Sequence, residues 1–142
     1  VEHLADHDIP VCAHLGLKPQ SVHKLGGFRV QGREPDRAKE MLAAGKQLQD
    51  AGADIVLLEC VPNEVGQAMT NKLDVPVIGI GAGPHVDGQI LVLYDVLGIT
   101  IGRTPRFVQN FQQGHDSPLA AIQGFVQAVK DGSYPAPEHC FS

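Results

Sequence analysis

Tryptophan is absent from the 142 residues, aromatic side chains make up only 5%, and there are just three cysteines. An odd cysteine count with no CxxC pair argues against a disulfide-stapled miniprotein and a zinc knuckle, and fits a reducing, cytoplasmic compartment. Positive charge is scarce: 11 Lys and Arg stand against 16 Asp and Glu, a formal net charge of −5 with no basic run. Nucleic acid and anionic membrane surfaces are therefore excluded as expected partners. No stretch approaches the ~18 uninterrupted apolar residues of a membrane span, and none has a signal-peptide pattern. What is present is 43% hydrophobic residues with 16 glycines. That is enough apolar surface for one ordinary domain over residues 1–142, with a Gly, Val, Ile and Leu mix typical of α/β proteins.

Four segments have the near-continuous apolar runs of strands covered on both faces. They are Ile9–Leu15, Asp54–Cys60, Val75–Ile80 and Gln89–Tyr94. The fourth has a helical alternative, because Leu93, Val96 and Leu97 also fit a helical stripe. Helices are predicted over Asp36–Ala51, with Met41, Leu42 and Leu48 on one side, and from a capping Asn63 to Leu73, with Val65 and Met69 inward. A last helix is capped by Ser117, opened by Pro118 and ended by Gly132. Its predicted stripe is Leu119, Ile122, Phe125, Val126 and Val129. The tail Tyr134–His139 is predicted to be an extended surface segment, and Val1–His7 the last turns of a helix.

Strand–helix alternation implies parallel strands joined by crossovers. Four such βα units are half of an eight-stranded barrel of ~250 residues. The expectation is that the chain is the C-terminal half of a single (β/α)8 TIM barrel.

Glu59 is the strongest chemical signal. It closes the run Ile55–Leu58, just before Pro62. A carboxylate there is costly unless it faces a polar site, and parallel α/β active sites lie at the carboxyl ends of strands. The competing use is as an N-cap of the following helix. His14 holds the same place on its own strand, so the two could meet in one cavity; its alternative is a satisfied core histidine. His3 and His7 are spaced i, i+4, but no third ligand accompanies them, so a solvated helix face is expected. Cys12 and Cys60 should point to opposite faces and stay unbridged. The run Gly79–Gly83 departs from the dinucleotide GxGxxG spacing. Gly81 and Gly83 are expected to admit substrate close to the backbone, Gly26–Gly27 to permit a tight loop, and Asp87 to bond amides in a turn.

Several stretches together resemble the ketopantoate hydroxymethyltransferase (3-methyl-2-oxobutanoate hydroxymethyltransferase) family. They are Pro10–Leu17 with Pro19–Ser21, Gly26–Arg33, Ala51–Ala53, Leu58–Pro62, Ile78–Gly83, Asp87–Val92, and Tyr134–Pro135 with Glu138–His139. They cover the chain in order and without large gaps. The resemblance implies a (β/α)8 barrel of the phosphoenolpyruvate mutase/isocitrate lyase superfamily, assembled as a homodecamer in the cytoplasm. It implies transfer of a one-carbon unit from 5,10-methylenetetrahydrofolate to C3 of 3-methyl-2-oxobutanoate, with Mg2+ supporting enolate formation. By the same resemblance Glu59 is the general base and His14 a substrate contact.

Ala13 stands where the family usually has Gly, a change that adjusts packing beside His14. The family's metal-binding Asp pair, an adjacent Ser and a substrate Lys belong to its N-terminal half. The resemblance therefore assigns no metal ligand to this chain and makes that half a partner, alongside the 2-oxo acid and folate. Two other readings stand beside this one: another C–C lyase or mutase of the superfamily acting on 2-oxo acids, and a non-catalytic half-barrel assembly partner.

Overall fold

Valine and isoleucine runs with no polar alternation are stable only as strands buried on both faces, and that is what they form. The computed structural model describes residues 1–21 and 29–142. Gly26 and Gly27, expected to shape a loop, lie outside the described residues. A short helix α1 (Glu2–Ala5) leads into β1 (Cys12–Gly16). Helix α2 (Pro35–Asp50), β2 (Ile55–Glu59), α3 (Asn63–Lys72) and β3 (Val77–Ile80) follow in alternation. Then come the two-residue β4 (Gly88–Gln89), α4 (Leu93–Val96) and the long α5 (Pro118–Asp131). The sheet order is β1-β2-β3-β4, and every pair is parallel.

Of the fourth apolar run only Gln89 is in a strand, paired with β3 beside Gly88; residues 90–92 are irregular, and Leu93–Val96 turn into the helix expected as the alternative. Asn63 is not the cap of α3. Pro62 takes that place, while the Asn63 Oδ1 is buried beside Gly83 without a hydrogen-bond partner among the described residues. The Ser117 cap does form, its Oγ accepting from the Ala120 amide at 3.1 Å, and Gly132 ends α5 in the left-handed region.

Two corrections come from packing. Of the predicted α5 stripe, Leu119, Ile122 and Val126 are exposed; Ala121, Phe125, Ala128 and Val129 are the residues that pack inward. The tail is not an extended surface segment either. Tyr134 is buried, its hydroxyl donating to the Phe107 carbonyl at 2.6 Å, and Pro137–His139 form a 3-10 turn.

The register sorts side chains by parity. Ala13 faces Val56 and Leu15 faces Leu58, and this set turns toward α2 and α3. There Val56, Leu58, Met69 and Val77 are fully buried. The other set, Cys12, His14 and Gly16 beside Ile55, Leu57 and Glu59, lies on the opposite face of the sheet. On that face Ile80, Phe107 and Leu17 form a second apolar cluster. Cys12, Cys60 and Cys140 are all free thiols.

Candidate active site

Glu59 is held by its neighbours at the carboxyl end of β2. Its carbonyl accepts from the Leu17 amide at 2.9 Å, and the Cys60 amide donates to the Ile80 carbonyl at 2.9 Å. Gly16 pairs with Glu59 at φ +86°, where any Cβ would run into the Glu59 backbone. Glycine is required there for the strands to approach. Cys60 then adopts φ +53° and turns the chain out of the sheet into Pro62 and α3.

The expected meeting of His14 and Glu59 occurs. His14 Nε2 lies 3.1 Å from Glu59 Oε2, with the side chains 28% and 13% exposed. This is ion-pair distance without hydrogen-bond alignment: the His14 Nε2 is buried and has no hydrogen-bond partner among the described residues. Burial raises the Glu59 carboxyl to about 6. At pH 7 that leaves about nine-tenths of it ionised, which suits a base that must first be deprotonated. Burial, then the nearby Lys18 charge, lower the His14 pKa against a backbone hydrogen bond at Leu17, favouring neutral imidazole. At neutral pH both groups are thus deprotonated, a carboxylate able to accept a proton beside an uncharged imidazole.

A cavity of about 1060 Å³ opens beside Glu59, walled by Leu17, Cys60, Ile80 and Phe107. Its far side comes from the segment after α4, which carries Thr100, Arg103 and Arg106, and from Phe141 near the chain end. Sequence reasoning missed these residues. They lie on irregular backbone with no periodicity, and the one available signal was two arginines three apart in an acidic chain. Gly81, expected to admit substrate, has φ +65° and instead lets the Phe107 ring pack close, 2.5 Å from where a Cβ would stand. Gly83 is likewise packed against Asn63.

The other candidate carboxylates have structural roles. Asp54 Oδ2 accepts from the Val11 amide at 2.8 Å, and Asp87 Oδ2 from the Val77 amide at 2.7 Å. Asp95 is buried and accepts from the Thr100 hydroxyl at 2.5 Å. His7 Nδ1 lies 2.8 Å from the His3 carbonyl oxygen, as a helix-face histidine would. Among the described residues no three His, Cys, Asp or Glu side chains cluster as metal ligands. A single carboxylate beside an imidazole does not fit Mg2+, which demands an octahedral set of oxygens.

These features define a class: an α/β protein whose parallel sheet presents a desolvated carboxylate and an imidazole at the carboxyl ends of adjacent strands. The particular family follows from comparison. Residues 1–137 match the family model described as ketopantoate hydroxymethyltransferase, and the chain belongs to that family. It is 59% identical over 141 residues to the 3-methyl-2-oxobutanoate hydroxymethyltransferase of Alkalilimnicola ehrlichii, a match covering 99% of this chain and 51% of the relative. It is 56% identical over 141 residues to that of Chromohalobacter salexigens, covering 99% and 54%. The chain thus spans about half the length of the curated relatives it matches. Four parallel strands with intervening helices are consistent with half of a TIM barrel. No helix among the described residues is long and apolar enough to cross a membrane.

Proposed function

We propose that this chain carries the base-bearing part of an enzyme that transfers a hydroxymethyl group from 5,10-methylenetetrahydrofolate to 3-methyl-2-oxobutanoate. The product is 2-dehydropantoate (ketopantoate), on the route to pantothenate and coenzyme A. The observation that carries the reading is the pair at the strand ends: Glu59 with a carboxyl raised to about 6, next to a buried, unpartnered His14 Nε2.

Glu59 takes the C3 proton of the keto acid. The C–H electron pair becomes the C2–C3 double bond of the enolate, and charge moves onto the C2 oxygen. Neutral His14 is placed to hydrogen-bond the keto acid, satisfying a nitrogen without a hydrogen-bond partner among the described residues. The enolate carbon then bonds the one-carbon unit as that unit's two C–N bonds to the folate break; one water supplies the hydroxyl, and its proton and the one taken by Glu59 go to the two nitrogens of the departing tetrahydrofolate. Family likeness supports Mg2+ as cofactor, and the reading puts its ligands outside this chain, in the N-terminal half of the barrel. The same likeness supports a cytoplasmic homodecamer.

The test is solvent exchange of the C3 proton followed by NMR in the complete enzyme. Glu59→Gln should slow exchange by on the order of 10² to 10⁴. Exchange at the wild-type rate in the variant removes Glu59 as base. Product that forms without folate would point instead to a lyase or mutase of the same superfamily.

A further inference from the structure

The cavity beside Glu59 is lined by charges of both signs. Its carboxylates are Glu59, at the end of β2, and Asp95, buried and bonded to Thr100 of the segment after α4 that also carries Arg103 and Arg106. Three basic side chains, Arg37, Lys39 and Lys46, have a carboxylate at 2.8, 3.7 and 2.9 Å. Neither Arg103 nor Arg106 has an ion-pair partner among the described residues. Arg106 is also held in place: its Nε donates to the Glu138 carbonyl at 2.9 Å, and its guanidinium lies 6.0 Å from the Phe141 ring centre. That leaves its remaining N–H groups as a preset fork for a carboxylate. The wall also offers aromatic surface in Phe107, Phe141 and Tyr94, the last 63% exposed.

An anionic ligand entering this cavity is repelled by Glu59 and attracted by the arginines, and this orients it. The charged end sits at the arginines and the uncharged, planar end points toward Glu59. We propose that Arg103 and Arg106 form an anion subsite for the carboxylate tail of the one-carbon donor. The donor's ring system then lies along the aromatic wall, with its reactive carbon directed at the enolate. This subsite rests on the function proposed above.

The test uses the complete enzyme and donors carrying one or four glutamates in the tail. Arg103→Glu is the primary variant, since Arg103 is exposed, and Arg106→Lys retains charge while losing the fork. Arg103→Glu should raise the donor KM about fivefold or more and remove the preference for the longer tail. The keto-acid KM should change less than twofold. Arg106→Lys should produce a smaller rise in donor KM. An unchanged donor KM in Arg103→Glu and in the double variant Arg103→Gln/Arg106→Gln overturns the subsite. So does a rise confined to the keto-acid KM, which would mean the arginines hold that substrate's carboxylate. If the wild-type enzyme neither exchanges the C3 proton nor transfers a one-carbon unit, the functional reading itself fails, and that outcome is distinct from both.

Discussion

Glu59 is held at a cost to stability, and that cost can be measured. A carboxyl raised from 4.5 to about 6 in the folded protein binds protons more tightly when folded than when unfolded. Its effect on stability is therefore neutral below pH 4.5 and increasingly unfavourable as pH rises to 6. At about 1.4 kcal/mol per unit, the upper bound is about 2 kcal/mol at pH 7. Urea midpoints of wild type and Glu59→Gln should thus diverge between pH 4 and pH 7, the variant gaining on the wild type by up to that amount. A constant difference across this range would show that Glu59 is not desolvated in solution. His14 is the complementary test. His14→Ala should weaken keto-acid binding by roughly 1.5–3 kcal/mol, the cost of a hydrogen bond to a charged ligand, while thermal stability stays close to wild type. A large fall in melting temperature with unchanged affinity would make His14 a packing residue.

The elements show what local sequence can and cannot encode. Val56, Leu58 and Val77 were legible as strand residues because burial on both faces leaves no polar position to disguise the run. The placement of Glu59 and His14 followed from parity alone, and the parallel register bears it out. The orientation of α5 was not legible. Leu119, Ile122 and Val126 make as good a stripe as Ala121, Phe125 and Val129, and only contact with Phe111 and Tyr134 decides which turns inward. Tyr134 was hidden for a related reason: its prolines and charged neighbours mark a surface segment, yet its own ring fills the space beside Phe111 and Phe125. Tyr134→Phe tests that placement. Removing the hydroxyl leaves the Phe107 carbonyl unpaired in a buried position, which should cost about 1–3 kcal/mol. The check is a lower urea midpoint at unchanged m-value; no change would mean the hydroxyl is solvated.

At the scale of the whole chain, the sheet has two strands, β1 and β4, with no further partner among the described residues. Edge strands of this kind invite pairing with another chain. Near β4, Ile90, Val92 and Leu93 are 42%, 52% and 52% exposed, so apolar surface accompanies the unpaired backbone. An eight-stranded barrel would close both edges and cover that surface. The relatives, about twice as long, have the residues to do so. Residues 1–142 produced alone should accordingly self-associate with rising concentration, as sedimentation velocity would show. They should also lack tight Mg2+ binding by calorimetry, because the described residues gather no three-ligand cluster. Hydroxymethyl transfer should be absent for the same fragment, since Glu59 and His14 supply a base and a contact but no metal shell. Adding a separately made first half from a relative should restore Mg2+- and folate-dependent transfer, and restoration should fail with Glu59→Gln in this chain. A monomeric 1–142 that turned over substrate with Mg2+ unaided would show that the metal ligands lie within it and that its sheet needs no complement.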